Sequence, residues 1–278
     1  MSAVYGIFGW PVAHSRSPAM HNAAFRALAI DAVYVPFAVP PAQLPGAIEA
    51  VRALGVAGLN VTLPHKSAVM PLLDELAPAA RAIAAVNTIV RKGERLIGDN
   101  TDAEGLARSL LEAGVDLQGL EAVVLGAGGA ARAATFGLAA GGAKRITVAA
   151  RRRAAAEALA AELAPHCPGA ELAACDFGAP LERACAGCGL LVQATSATLG
   201  ESAAARAFAD ALPLHSLPRS AVVCDLVYKP LQTALLARAS ERGLRTVDGL
   251  GMLLHQGALA FEHWTGQRPP IGVMRAAL

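Results

Sequence analysis

Apolar positions along the chain fall into short runs of two kinds. Residues 4–8, 33–39 and 56–63 are β-branched and aromatic runs of strand length, and between them residues 20–28 and 44–54 space their apolar side chains as a helix does. Residues 84–90 and 95–98 predict a hairpin turning at Lys92-Gly93, and residues 103–113 a helix. Buried strands follow at 121–125, 145–149, 190–196 and 222–228, then a helix at 231–242, a short strand at 245–247 and a last helix at 252–264. Residues 197–220 show no period and are read as irregular. Strands alternating with helices over short connections predict an α/β fold, and 278 residues are enough for two domains, each with its own core.

One stretch breaks the apolar logic. In Gly58-Leu59-Asn60-Val61-Thr62-Leu63-Pro64-His65-Lys66, Leu59, Val61 and Leu63 share one strand face while Asn60 and Thr62 put hydrogen-bonding groups on the other. Pro64 ends the strand, having no ladder donor, and Lys66 falls at the start of a helix expected to run through residue 76. A lysine at a helix N-terminus opposes the macrodipole, which suits the helix poorly but lowers proton affinity, as a proton-transferring lysine requires. A solvated surface lysine is the alternative. Ser17-Pro18 has the form of an N-cap followed by proline, which leaves Ser15 as a hydroxyl that capping does not need. Asp102 opens the helix at 103–113 and serves either as its N-cap or as the carboxylate that holds a substrate hydroxyl and polarises Lys66.

A second motif concerns a cofactor. The strand at 121–125 runs into Gly126-Ala127-Gly128-Gly129-Ala130-Ala131, which fits G-x-G-x-x-A ahead of a helix and a further strand. Those glycines permit a tight turn and close approach of a pyrophosphate to the helix N-terminus, so a dinucleotide is expected. Where an NAD enzyme carries an acid for the ribose 2′-hydroxyl, this chain has Ala150-Arg151-Arg152-Arg153. Guanidinium groups at that point suit the 2′-phosphate of NADP, with Arg153 left to begin a solvated helix.

Composition narrows the partners. With 54% hydrophobic and 17% charged residues the chain is globular, and its apolar runs are too interrupted to span a bilayer. No signal-like opening is present, so a cytoplasmic location is expected, and a net charge of +2 gives no reason to expect nucleic acid. Five cysteines make no disulfide framework, and Cys185 with Cys188 is half a zinc site lacking a second pair, so no metal is expected.

Taken together, these residues resemble the shikimate dehydrogenase family over essentially the whole length. The resemblance is carried by Gly9-Trp10-Pro11, His14 to Pro18, His21-Asn22, Gly58 to Lys66, Ala85 to Thr88, Asn100 to Asp102, Gly126 to Arg132, Asp225 to Pro230 and Met252 to Gln256. It implies a substrate domain with a mixed sheet, residues 1–102 plus 250–278, and a Rossmann-like NADP domain, residues 103–249, with a cleft between them. It implies reversible NADPH-dependent reduction of 3-dehydroshikimate to shikimate, a step of chorismate and aromatic amino acid biosynthesis, by a monomer or homodimer. By that similarity Lys66 and Asp102 are the catalytic pair, and Ser15, Ser17, Asn60, Thr62, Asn87, Asp102, Tyr228 and Gln256 hold the substrate. Gly126 to Ala131, Arg151, Arg152 and Thr195 hold the cofactor, with Leu226, Gly249 and Met252 at the nicotinamide. Alternatives are a quinate, quinate/shikimate or aminoshikimate dehydrogenase and, from another class, a non-catalytic ligand sensor. Three positions depart from the family pattern: Ala150 where asparagine is expected, Gln193 for asparagine, and Ala234 after Thr233.

Overall fold

The computed structural model describes residues 2–278 and divides into two compact units, the chain up to Thr101 with Leu253–Leu278, and Asp102–Met252. In the first unit the order is β1 (Ala3–Gly9), α1 (Ser17–Ala27), β2 (Ala32–Ala38), α2 (Leu44–Ala53), β3 (Gly58–Val61), β4 (Glu75–Leu76), α3 (Pro78–Ile83), β5 (Thr88–Lys92) and β6 (Arg95–Asp99). The second unit holds α4 (Asp102–Glu112), β7 (Glu121–Leu125), α5 (Gly129–Ala140), β8 (Arg145–Ala149), α6 (Arg153–Leu163), β9 (Glu171–Cys175), α7 (Ala179–Ala186), β10 (Leu190–Gln193), α8 (Ala203–Ala211), β11 (Val222–Asp225), α9 (Ala234–Glu241) and β12 (Arg245–Val247). The chain then returns through α10 (Leu250–Thr265) to α11 (Ile271–Ala276) in the first unit.

The first sheet has the order β2-β1-β3-β5-β6-β4. It is mixed: β5 runs antiparallel to both β3 and β6, whereas β1 is parallel to β2 and β3. Both faces are covered. Phe8, Leu59, Val61 and Ile89 pack with Ile48 and Val51 of α2, while Tyr5 and Ile7 pack with Met20 and Phe25 of α1 and with Leu254 and Phe261 of α10. All four residues of β3 are therefore buried, and Asn60 turns towards a covered face rather than towards water. Gly58 lies on that same face, where an added Cβ would run into the Trp264 indole.

The second sheet, β12-β11-β10-β7-β8-β9, is parallel throughout. Its strands alternate between two cores. Ala122, Val124, Ile146, Val148 and Val192 meet α4, α5 and α6, while Val123, Leu125, Leu191 and Val223 meet α7 and α9. The strand order reverses between β7 and β10, the point at which open parallel sheets of this type bind ligands.

Several local expectations are corrected. No α-helix begins at Lys66: the segment makes turns, a 3₁₀ turn at Met70–Leu72 and then β4. Pro71 lacks the N–H that a continuous helix would need there, so no helix dipole acts on the lysine. Ser17 is not an N-cap either, since Arg16 occupies that position without a side-chain bond. The Ser15 hydroxyl instead accepts from Ser17 N at 3.3 Å, so the serine left over is Ser17, buried with Pro18 behind it. The interval 197–220 contains α8, whose N-cap Ser202 accepts from Ala205 N at 3.1 Å. The helix expected from residue 231 starts at Ala234, capped by Thr233. The short α3, α7 and α11 and the strands β4 and β9 are additions to the predicted set.

Candidate active site

Four strand ends deliver the polar residues of the first unit to one edge of its sheet. Parallel pairing brings the carboxyl ends of β1 and β3 together, with Phe8 opposite Val61, and Thr62 N donates to Phe8 O at 2.9 Å. Antiparallel β5 begins where they end, Thr88 facing Asn60, and β6 finishes alongside, Asp99 facing Thr88. The segments leaving that edge carry Ser15 and Ser17, Thr62 and Lys66, Asn87, and Asn100-Thr101. Asp102 follows as the first residue of α4, buried, and with Tyr228 it belongs to the second unit.

The amides at this edge are oriented by one another. Tyr34 Oη donates to Asn60 Oδ1 at 2.8 Å, and Asn60 Nδ2 donates to Asn87 O and to Thr88 Oγ1, both at 3.2 Å. Asn87 Oδ1 accepts from Thr101 N at 2.7 Å and from Thr88 Oγ1 at 3.0 Å, while its Nδ2 donates to Thr101 Oγ1 at 2.9 Å and to Gln256 Oε1 at 3.3 Å. Gln256 Nε2 in turn donates to Leu253 O at 2.8 Å. Because a backbone N–H points at Asn87 Oδ1, the amide cannot flip without leaving that donor unmet, at a cost of about 1–3 kcal/mol. Behind the edge, Asp99 accepts from Asn100 N at 2.7 Å and lies 3.3 Å from His263 Nδ1. Burial pushes the Asp99 carboxyl up, but the bonds from His263 and Asn100 outweigh it and hold the group below the usual range.

Lys66 sits on braced backbone. His65 is buried, its Nε2 2.8 Å from Val39 O, and Lys66 O accepts from Val86 N at 2.8 Å. The chain is thus tied to the neighbouring β2 and α3 connections on both sides of a partly buried ammonium-bearing side chain.

In the second unit the glycine loop fits a dinucleotide. Gly126 has φ +119°, and a Cβ there would press on Thr195 and the Ala194 carbonyl. Gly128 caps α5 without a side-chain bond, so the first N–H groups of this twelve-residue helix face the loop. Gly126, Ala127 and Gly128 line a cavity of about 790 Å³ together with Ala150, Arg151, Arg152, Ala155, Phe177, Thr195, Ser196, Ala197 and Phe208. This volume is in the range of cofactor pockets. Arg151 and Arg152 are exposed into it, whereas Arg153 pairs with Glu157 at 2.8 Å along α6. Such amides beside two guanidinium groups, with no acid at the end of β8, suit a 2′-phosphorylated dinucleotide. Gly129, Ala130 and Ala131 continue as the first turn of α5. At the other side of the switch point Gly249 lies directly on the Leu226 carbonyl, and Met252 is buried in the core beneath.

The departure at residue 193 has a structural role. Gln193 Oε1 accepts from Thr195 N at 2.7 Å, and its Nε2 donates to Thr198 Oγ1 at 2.9 Å and to Thr195 O at 3.0 Å, bracing the loop that lines the cavity. Burial raises the neighbouring Asp225 carboxyl against the opposing bonds from Thr233, at 2.7 Å, and Val227 N. Phe177 and Phe208 are among the cavity residues that pattern reasoning missed, one just beyond β9 and the other in α8. Phe208 lies in the interval read as irregular, and Phe177 follows β9, a strand the sequence did not suggest. Cys185 and Cys188 are buried in the core beside α7, and among the described residues no group of three or more His, Cys, Asp or Glu could hold a metal ion. No helix among the described residues is long and apolar enough to cross a membrane.

Comparison with known proteins agrees with this geometry. Residues 7–89 match the shikimate dehydrogenase substrate binding domain and residues 249–278 the shikimate 5′-dehydrogenase C-terminal domain. The chain is 50% identical over 275 residues to shikimate dehydrogenase (NADP(+)) of Symbiobacterium thermophilum, covering 99% of this chain and 92% of the relative. Shikimate 5-dehydrogenase from Listeria monocytogenes, solved with shikimate and NAD, superposes with a TM-score of 0.89 at 35% identity, covering 99% of this chain and 96% of that one. The Thermus thermophilus enzyme, solved with NADP(H) and shikimate, gives 0.86 at 39% identity, covering 99% and 98%. Likeness of this degree over the full length, on top of the polar sheet edge and the glycine-arginine cavity, shows that the chain belongs to the shikimate dehydrogenase family.

Proposed function

We propose that this protein catalyses the reversible reduction of 3-dehydroshikimate to shikimate with NADPH. The observation that carries the reading is the set of buried, mutually oriented amides and hydroxyls at one sheet edge, which suits a small polyhydroxylated acid. The first unit would be the substrate unit and Asp102–Met252 the NADP unit.

Ser15 and Ser17 would take the carboxylate, and Asn60, Thr62, Asn87, Tyr228 and Gln256 the hydroxyl pattern. NADPH supplies the hydride for the C3 carbonyl when it is bound. Lys66 gives a proton to, or hydrogen-bonds, the alkoxide that develops there, and Asp102 orients the adjacent hydroxyl and acts with Lys66 as the catalytic pair. Arg151 and Arg152 hold the 2′-phosphate. Every residue named comes from one chain, which is compatible with a monomer or a homodimer, and soluble small-molecule reactants suit a cytoplasmic enzyme.

The test is a four-way assay of shikimate or quinate with NADP⁺ or NAD⁺. The highest kcat/KM is expected for shikimate with NADP⁺. Quinate carries an extra hydroxyl at a tetrahedral C1, and turnover of quinate as efficient as that of shikimate would overturn the substrate assignment. Replacing Arg151 and Arg152 together by serine should raise KM for NADP⁺ roughly 10- to 100-fold, the worth of charge-assisted bonds to phosphate, with KM for NAD⁺ little changed. Equal effects on both cofactors would remove these arginines from 2′-phosphate recognition.

A further inference from the structure

The second unit contains three phenylalanines, Phe136, Phe177 and Phe208, and no tryptophan. Its cores are built mostly from alanine, valine and leucine, with five cysteines among them. Two of the three phenylalanines nevertheless line the dinucleotide cavity, and both are only partly buried at the margin of the core. Phe136, which does not line the cavity, is partly buried as well, so what sets the other two apart is the lining they contribute.

Their positions follow the order of groups in a 2′-phosphorylated adenine nucleotide. The cavity begins at the amides of the loop after β7, passes the guanidinium groups after β8, and reaches Phe177, two residues beyond the end of β9. Phe208 comes from α8 and its ring lies beside that of Phe177. Pyrophosphate, ribose 2′-phosphate and base would meet amides, arginines and phenyl rings in turn. We propose that Phe177 and Phe208 form the wall against which the adenine of the cofactor packs, and that they are specificity-determining residues for the base end of NADP; this rests on the NADP reading above.

Ring geometry says which kind of contact is available. The two centroids are 6.3 Å apart and the planes are inclined by 49°. A base inserted between two parallel rings needs roughly 7 Å, twice a van der Waals contact, so a sandwich is excluded. The tilted pair instead forms one continuous apolar wall, with Phe177 and Phe208 each offering part of a face or edge to a purine. Base-to-aromatic packing of this kind changes affinity by roughly 5- to 150-fold per ring on removal.

The experiment uses the full chain and adenosine 2′,5′-bisphosphate, which carries the base and the 2′-phosphate without nicotinamide. Its dissociation constant is measured by calorimetry for wild type, Phe177→Ala, Phe208→Ala and the corresponding leucine variants, beside steady-state constants for NADP⁺ and shikimate. Each alanine variant is expected to weaken the bisphosphate and raise KM for NADP⁺ about 10-fold, with kcat at saturation and KM for shikimate unchanged, and leucine to recover part of the loss. Unaltered bisphosphate binding in both alanine variants overturns the proposal. So does a loss of kcat and shikimate affinity that leucine does not restore, because that marks a collapsed domain. A wild type that binds no bisphosphate overturns it together with the NADP reading, whereas unaltered binding in the variants beside a tight-binding wild type leaves the NADP reading standing.

Discussion

Lys66→Ala should lower kcat by roughly 10²- to 10⁴-fold while KM for shikimate moves only a few-fold, the signature of a lost general acid rather than a lost binding contact. The backbone around residue 66 is held by atoms that the substitution leaves in place: the buried His65 imidazole on Val39 O, and Val86 N–H on the residue 66 carbonyl. Truncation at Cβ therefore removes the ammonium without releasing the segment. Arginine should not restore turnover, because a guanidinium stays protonated and its planar fork does not occupy the place of a compact ammonium. Steady-state kinetics in both directions, with solvent deuterium substitution, separate the cases. A nearly unchanged kcat in the alanine variant would refute the role of Lys66.

What the sequence makes legible here depends on how local each signal is. The strand at 121–125 and the glycine loop after it are predicted to the residue because periodicity, turn chemistry and helix start all fall within about twenty positions. Lys66 is singled out for a partly wrong reason: its neighbourhood is polar as expected, but Pro71 prevents the helix that was to tune it. Ser17 is misread as the cap, since sequence shows two hydroxyls near a helix start and only backbone geometry says that Arg16 holds the cap position while Ser15 receives an N–H. The clustering of Asn60, Asn87, Thr101 and Gln256 depends on strand pairing and on a helix more than 150 positions further on, which no local window can hold. Phe177 and Phe208 escape for the same reason. Each is an ordinary apolar residue in its own stretch, and the cavity joins them.

His21 makes the protein's stability depend on acid in a way that can be isolated. Its ring is fully buried, stacked on Tyr34 at 4.5 Å and 12° and flanked by Phe261 and Trp264, and neither imidazole nitrogen has a hydrogen-bond partner. Burial pushes its pKa from 6.5 down to about 3, because nothing in that aromatic stack compensates a charge. The folded-state value lies below the unfolded one, so the contribution of neutral His21 is fully present above pH 6.5 and is lost as pH falls towards 3, where the unfolded chain binds the proton first. Between pH 7 and pH 4.5 this one group should cost roughly 2–3 kcal/mol of stability. His21→Phe keeps a ring in the stack and cannot be protonated, so its stability should fall by that much less over the same interval in urea unfolding followed at both pH values. Tyr34, the ring against His21, is also the donor to Asn60, so acid loosening of the stack should reach the proposed substrate edge before global unfolding. Identical acid losses in wild type and His21→Phe would place the sensitivity elsewhere, with Asp99, whose carboxyl is held below the usual range and whose stabilisation is lost on protonation, as the next group to replace.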